Sequence, residues 1–151
     1  GAASDPETGR RLCEESLRTG RARDRFGLLL EAQGGDRRIL EDPSLLPLAP
    51  ETREVRATRS GWLGRVDTRR LGEAVRRLGG GRLAQEDRID FGAALHLHRS
   101  LGDPVSEGDS LVTLHGRSSS SLEAALAGLE GVFEISSEPV EPVVWVRRRL
   151  G

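Results

Sequence analysis

The segment from Trp62 to Asp90 constrains the fold most, because it contains a predicted helix that ends in three consecutive glycines. Asp67 and Thr68 are suitable N-cap residues, since their side-chain oxygens accept the free amide hydrogens of a first helical turn. The glycines end the helix because glycine adopts a left-handed conformation without a Cβ clash. The apolar residues of this helix recur at helical spacing and are Leu71, Ala74, Val75 and Leu78.

A strand is predicted after the glycines, because apolar and other residues alternate from Ile89 to His98. A period of two is typical of a strand with one buried face. The predicted buried face comprises Ile89, Phe91, Ala93, Leu95 and Leu97, and the other face comprises Asp90, Gly92, Ala94, His96 and His98.

The rest of the second half also reads as short elements joined by tight turns. Two Gly-Asp pairs lead into apolar residues, and a run of serines can cap a third helix that bears Leu122, Ala125, Leu126 and Leu129. Short strands joined by such turns favour a sandwich or barrel. The remaining predicted elements are strands at Glu54–Thr58, Val132–Ile135 and Val143–Val146, and turns at Gly102-Asp103 and Gly108-Asp109.

Two helices are predicted in the first third of the chain. Ser4 and Glu7 have capping-box spacing and start a helix that runs to about Arg18. A second helix carries Ala22, Phe26, Leu29 and Leu30 on one face and stops at Gly34-Gly35. Gly27 in its middle costs roughly 0.5–1 kcal/mol relative to alanine unless a close contact requires it. Asp36 is expected to cap a short turn through Ile39 and Leu40.

Prolines at positions 43, 47 and 50 predict a stiff linker after these helices, because proline fixes its backbone φ angle. We place a domain boundary near Pro50. The predicted class is α+β, with a helical segment and linker at residues 1–48 and a second domain at residues 49–151.

Composition excludes several functional classes. The net charge of −1 favours neither nucleic acid nor an anionic membrane surface as a partner. All 23 basic residues are arginine, which excludes Schiff-base, phosphate-loop and prosthetic-group lysines. The lone Cys13 cannot form an internal disulfide, which fits a reducing compartment, and its position one turn from Leu17 predicts a buried helix-face residue. The absence of methionine predicts that the sequence is a fragment or a processed piece.

An ordered series of motifs covers nearly the whole chain. They are Ala32-Gln33-Gly34-Gly35-Asp36, Leu46-Pro47, Asp67-Thr68-Arg69, Leu71-Gly72, Ala74-Val75, Gly79-Gly80-Gly81-Arg82, Asp87, Ile89-Asp90, Gly102-Asp103, Val105, Gly108, Leu111, Leu114-His115 and Val143–Arg148. This series resembles the C-terminal part of thymidine and pyrimidine-nucleoside phosphorylases.

The resemblance implies a barrel-sandwich hybrid with an inserted helix, called an α/β-hammerhead, and an authentic C-terminus. It implies a parent enzyme, a cytoplasmic homodimer, that converts a pyrimidine nucleoside and inorganic phosphate into a free base and a sugar 1-phosphate without another cofactor. The family's phosphate loop and base-binding residues belong to an N-terminal catalytic part and do not occur in this sequence. No catalytic residue is therefore carried over, and the substrate (thymidine, uridine or AMP) stays open.

Three histidines are candidate metal ligands. His96 and His98 point to one strand face and His115 lies on a later strand, so three imidazoles could converge on zinc. Their face is polar and no cysteine accompanies them, which favours exposed histidines and no metal site.

Several other polar groups are candidate catalytic or anion-binding residues. Glu86, Asp87 and Asp90 could form an acid–base pair, but neighbouring arginines favour salt-linked surface carboxylates. Ser118–Ser121 has no nearby base, so a nucleophilic serine is not predicted. Arg147, Arg148 and Arg149 lack aromatic neighbours for base stacking, which favours a solvated tail.

The glycine loop, residues 79–88, is the candidate functional segment. Its residues Gly79, Gly80, Gly81, Arg82 and Asp87 form a predicted mobile flap over a cleft in the missing part of the enzyme. Direct phosphate binding is disfavoured because the glycines follow a helix C-terminus, where the helix dipole repels anions.

Two functional hypotheses follow. In the first, the chain is a supporting domain that binds the N-terminal catalytic part and is inactive alone. In the second, it is a free-standing interaction or regulatory module. Exposure of the apolar helix faces (Leu12, Leu17, Phe26 and Leu30) would favour the first, because monomers rarely leave large apolar patches bare.

Overall fold

The computed structural model describes residues 2–141. The chain divides into two compact units, residues 2–46 and the residues from Pro47 onward. The predicted strand at Val143–Val146 and the arginines at positions 147–149 lie outside the described residues. No helix within residues 2–141 combines the length and apolar character needed to cross a membrane.

The first unit contains two helices and two 3₁₀ turns. Helix α1 spans Pro6–Arg18 and helix α2 spans Arg21–Ala32. The 3₁₀ turns follow at Arg37–Leu40 and Pro43–Leu45. The predicted cap of the first turn is confirmed, because the Asp36 side chain accepts a hydrogen bond from the Arg38 amide.

The predicted N-cap of α1 was wrong by one residue. Asp5 caps the helix and accepts from the Thr8 amide at 2.8 Å, whereas the Ser4 hydroxyl donates to the Asp5 carboxylate. The Glu7 side chain pairs with Arg10, one turn further along the helix. The carboxylate of Asp5 therefore takes the position that the capping-box pattern gave to serine.

Gly27 is closely covered by side chains of the first 3₁₀ turn. A Cβ atom at this position would lie 2.7 Å from Arg37 Nε and 3.2 Å from Leu40 Cδ1. A larger residue would therefore make these two side chains shift, which is consistent with glycine in the middle of the helix.

Up to residue 141, the second unit combines two three-stranded antiparallel sheets with two helices, which confirms the predicted α+β class. The elements are β1 Glu51–Arg56, β2 Gly61–Val66, α3 Thr68–Val75, β3 Ala94–Leu97, β4 Pro104–Val105, β5 Ser110–Gly116, α4 Ser119–Ala127 and β6 Phe133–Ser136. One sheet has the order β1-β5-β3 and the other has the order β4-β2-β6.

The helix caps read from the sequence are confirmed. The Asp67 side chain accepts from the Arg70 amide at 3.1 Å at the start of α3. The Ser118 hydroxyl accepts from the Ser121 amide at 3.3 Å at the start of α4.

The Gly-Asp turns are also confirmed. Gly102 and Gly108 have φ angles of 88° and 87°, which glycine adopts without strain. The following carboxylates, Asp103 and Asp109, accept from the amides of Ser100 and Ser106.

The main core lies between β5 and the two helices. The side chains of Val112, Leu114 and Leu122 have no exposed surface. The cluster also contains Leu71, Ala74, Leu78, Ala125, Leu129 and Val132. A smaller cluster, formed by Ala57, Val105, Leu111 and Ile135, joins strands of both sheets.

The strand predicted from Ile89 was wrong in its first half, because β3 begins only at Ala94. Phe91, predicted to be buried, is 83% exposed, and Leu97 is 43% exposed. Hydrogen bonds of Asp90 fold the backbone at the loop base, and the Gly92 carbonyl accepts from the Ala49 amide at 2.8 Å. These contacts override the alternating pattern.

Two other strands start at different residues than predicted. β1 begins at Glu51, three residues earlier than predicted, and ends at an irregularity in its pairing with β5 between Val55 and Arg56. β6 begins one residue late, because the Val132 amide donates to Leu129 in the preceding turn.

Candidate functional site

The glycine loop leaves α3 through a widened helical turn. This turn spans Arg76–Gly80, and Gly79 within it has a φ angle of 101°. A Cβ atom at Gly80 would lie 2.7 Å from Val75 Cγ1. Both positions therefore require glycine, one for its backbone angle and the other for space.

The base of the loop is fastened by Asp90. The Asp90 amide donates to the Gly79 carbonyl at 2.8 Å, which closes the loop at the helix end. Its carboxylate accepts from Arg117 Nε at 2.9 Å and from the Gly92 amide at 3.0 Å. The Arg117 guanidinium, followed by the Gly92 amide, lowers the pKa of Asp90 below its usual value.

The tip of the loop is organised by Asp87. One oxygen of its carboxylate accepts from the Leu83 amide at 2.9 Å and from the Ala84 amide at 2.8 Å. The bonds from Ala84 and then Leu83 lower the pKa of Asp87. A carboxylate held ionised by backbone amides serves as a structural acceptor and is a poor general acid.

Arg76 ties the start of the loop to the preceding helix. Its guanidinium donates to the Arg82 carbonyl at 2.9 Å and pairs with Glu73, also at 2.9 Å. The side chain of Arg82 is exposed and forms no ion pair with any other residue that the structure describes.

Three apolar side chains of the loop and its base face solvent. Leu83 is 58% exposed, Ile89 is 39% exposed and Phe91 is 83% exposed. We call these three residues the apolar crown. The predicted site residues Gly79, Gly80, Gly81, Arg82 and Asp87 thus share one loop, and the sequence pattern misplaced Ile89 and Phe91 on a buried strand face.

A surface depression of about 400 Å³ lies beside the loop base. It is lined by Leu78, Gly79, Arg88, Ile89, Asp90, Arg117, Ser118 and Ser121. Its serines are occupied within α4, where Ser118 Oγ accepts from the Ser121 amide and Ser121 Oγ donates to the Ser118 carbonyl. Ser119, the second serine of the same run, donates to Glu51 Oε2 at 2.6 Å. No described histidine lines the depression, so these serines have no general base there.

Arg117 was not identified from the sequence as a site residue. It lies 27 positions after Asp90, and no local pattern connects the two residues. Only the arrangement of β5 beside the loop brings them together. Glu86, the third candidate carboxylate, is exposed.

The histidines do not form a metal cluster. The rings of His96 and His98 stack with centroids 4.7 Å apart, and His98 Nε2 lies 2.7 Å from Thr113 Oγ1. His115 Nδ1 is buried without a hydrogen-bond partner in the described structure. Within residues 2–141, no three His, Cys, Asp or Glu side chains are placed to hold a metal ion.

The first unit exposes a further apolar surface. No apolar side chain among residues 2–46 is buried. Cys13, predicted to be buried, is exposed, and no residue of α1 is buried. The exposed large side chains on the two helices are Leu12, Leu17, Phe26, Leu28 and Leu29, and Leu30 is half-buried.

Comparison with known proteins identifies the second unit. Residues 62–136 match the family described as the pyrimidine nucleoside phosphorylase C-terminal domain. A pyrimidine-nucleoside phosphorylase of Staphylococcus haemolyticus is 33% identical over 142 residues, which cover 94% of this chain and 33% of that protein. One of Staphylococcus aureus is 32% identical over 138 residues, covering 91% of this chain and 32% of that protein. The chain spans about a third of the length of these relatives. It belongs to the pyrimidine-nucleoside phosphorylase family and corresponds to its C-terminal part.

Proposed function

We propose that the chain is the supporting C-terminal part of a pentosyltransferase that carries out phosphorolysis of a pyrimidine nucleoside. In this reaction, inorganic phosphate displaces the base, and the products are the free base and a ribose or deoxyribose 1-phosphate. The names of the relatives and the matched domain support the proposal. Thymidine, uridine and AMP remain alternative substrates, since the base-reading groups are assigned to the other two thirds of the parent.

The role proposed for this chain is architectural and not catalytic. The carboxylates of Asp87 and Asp90 are held by amides and an arginine, and the Ser118 hydroxyl caps α4. These polar groups already have structural partners, which supports placing the reacting groups in the N-terminal catalytic part.

The fold supports the proposed α/β-hammerhead. Two small antiparallel sheets share a core, and α3 with the glycine loop is inserted between β2 and β3. We assign residues 49–151 to this domain and residues 1–48 to the preceding α/β domain of the parent.

The observation that carries the proposal is the exposed apolar surface at two places in the chain. The apolar crown leaves Phe91 83% exposed, and Leu17 of α1 is 72% exposed. Monomeric proteins rarely leave such surfaces bare. A catalytic part that covers them would explain both, whereas a free-standing module would have to fold its helix faces inward.

The glycine loop is the proposed flap of this assembly. Its tip is preorganised by Asp87, so docking on a cleft requires little ordering of the backbone. A cleft closed in this way holds phosphate and nucleoside together and excludes water, which limits the competing hydrolysis.

Within the same proposal, the parent is a cytoplasmic homodimer.

Reassembly from two parts tests the proposal. The chain is mixed with the N-terminal catalytic part of its parent, binding is measured by calorimetry, and base release from uridine or thymidine with phosphate is followed by absorbance. We expect a complex with activity that neither part has alone. Phe91→Asp should weaken it, whereas Arg53→Gln, on exposed β1, should not. Folded parts that do not bind each other would refute the proposal and favour the free-standing module.

A further inference from the structure

Asp90 is bonded through all of its polar groups. Besides its bonds to Gly79, Gly92 and Arg117, its carbonyl accepts from the Ala93 amide at 3.1 Å. Three of these partners are neighbours along the loop and its base. Arg117 is the partner that comes from a different part of the domain, the end of β5.

We propose that the pair formed by Asp90 and Arg117 is a latch that positions the glycine loop and can release it without unfolding the domain. Asp90 is the positioning residue, and Arg117 fixes its carboxylate while the Asp90 amide holds Gly79. The latch depends on the proposed function in one respect only. That function gives the loop its purpose, which is to present the apolar crown to the catalytic part.

The exposure of the pair explains why it can open. The Arg117 side chain is 76% exposed, whereas the Asp90 side chain is 16% exposed. Ion pairs with a solvated partner contribute little and are screened by salt. Arg88 is the other charged residue that lines the same depression.

The loop tip keeps its shape when the latch opens. Asp87 binds the Leu83 and Ala84 amides without any contact to Arg117. Opening therefore moves an ordered tip about its base, where Gly79 and Gly92 tolerate backbone rotation. Since Leu78 is buried in the main core beside the base, the helix end stays fixed.

Amide hydrogen exchange of the full chain, followed by NMR, tests the latch. Arg117→Gln breaks the pair but touches neither the Asp90 amide nor the Gly92 amide directly. We expect exchange at both amides to rise by a factor of roughly 1.5 to 5, the range for an exposed ion pair. Added sodium chloride should raise it in the wild type and not in Arg117→Gln, and Arg117→Lys should restore part of the protection.

The matched control is Asp109→Asn. Asp109 also accepts from one amide, that of Ser106, and from one arginine, Arg99, but it lies in a different turn. This variant should leave exchange at Asp90 and Gly92 unchanged, and the denaturant midpoint of each variant reports global stability.

Unchanged exchange at Asp90 and Gly92 in Arg117→Gln would overturn the latch, and so would a rise that merely follows a lower denaturant midpoint. Neither result depends on the catalytic part. A chain with a working latch that still fails to bind the catalytic part would refute the proposed function and leave the latch intact.

Discussion

Gly116, the last residue of β5, packs directly against Leu122 of α4. A Cβ atom at Gly116 would lie 3.0 Å from Leu122 Cγ, and the Leu122 side chain has no exposed surface. The same position would lie 3.2 Å from Leu78 Cδ2, next to the glycine loop. Strand β5, helix α4 and the start of the glycine loop therefore share one core.

Shortening Leu122 should therefore destabilise the whole second unit. We expect Leu122→Ala to lower the free energy of unfolding by about 2–5 kcal/mol, because it leaves a cavity where side chains are fully packed. Urea unfolding measures the loss. Leu126→Ala, at a half-buried position of the same helix, should cost clearly less, and equal losses would contradict the packing described here.

Two glycines should respond in opposite directions to alanine. Gly61 has a φ angle of 156°, and its Cβ atom would meet the Ser136 carbonyl oxygen at 2.2 Å. Gly61→Ala should therefore destabilise the domain by more than about 1 kcal/mol. Gly72 lies within α3 with nothing near its Cβ position, so Gly72→Ala should stabilise by roughly 0.5–1 kcal/mol. Thermal unfolding of both variants measures the change in melting temperature. A change of the same sign in the two variants would contradict this prediction.

Local chemistry made much of the fold predictable. Asp67 and Ser118 cap their helices as expected, because an N-cap needs only a side-chain oxygen and the next few amides. The turns at Gly102 and Gly108 were readable for the same reason, since a positive φ angle favours glycine whatever surrounds it.

Contacts between distant segments decided the features that the sequence did not reveal. Alternation predicted Phe91 inside a strand, but hydrogen bonds of Asp90 and Gly92 with distant backbone or side-chain groups bent the chain there. Cys13 was expected to be buried because its helix has an apolar face, yet burial requires a second surface that covers the face. The candidate loop was therefore identified, whereas its fastening to Arg117 was not.

The serine run at the start of α4 offers a sharp test of capping. Ser118→Ala should cost about 1 kcal/mol of stability, because the Ser121 amide loses its acceptor. Ser120→Ala removes an exposed hydroxyl that caps no amide and bonds the Ser118 hydroxyl at 3.0 Å, so its effect should stay within about 0.5 kcal/mol. Chemical denaturation of the two variants measures the difference, and a larger loss for the Ser120 variant would contradict the assigned cap.

The stability of the second unit should fall in acid through identified carboxylates. The pKa of Asp109 is lowered by the Ser106 amide and then by Arg99, and those of Asp87 and Asp90 are lowered by their own partners. A carboxyl whose pKa is lower in the folded state binds fewer protons there than in the unfolded chain. The contribution of such a carboxyl to folding stability is therefore complete above its pKa in the unfolded chain, about 3.9. It disappears as the pH falls through its lower pKa in the folded state.

Urea unfolding between about pH 7 and pH 2 measures this acid dependence against the usual carboxyl pKa range. Asp109→Asn should flatten the decline in stability below about pH 4, because the asparagine cannot take up the proton that the unfolded aspartate binds more readily. Arg99→Gln should flatten it less, since the Ser106 amide is the larger cause of the lowered pKa and remains in place. A decline in Asp109→Asn as steep as that of the wild type would show that Asp109 is protonated equally in both states, contrary to its two hydrogen bonds at 3.0 and 3.1 Å.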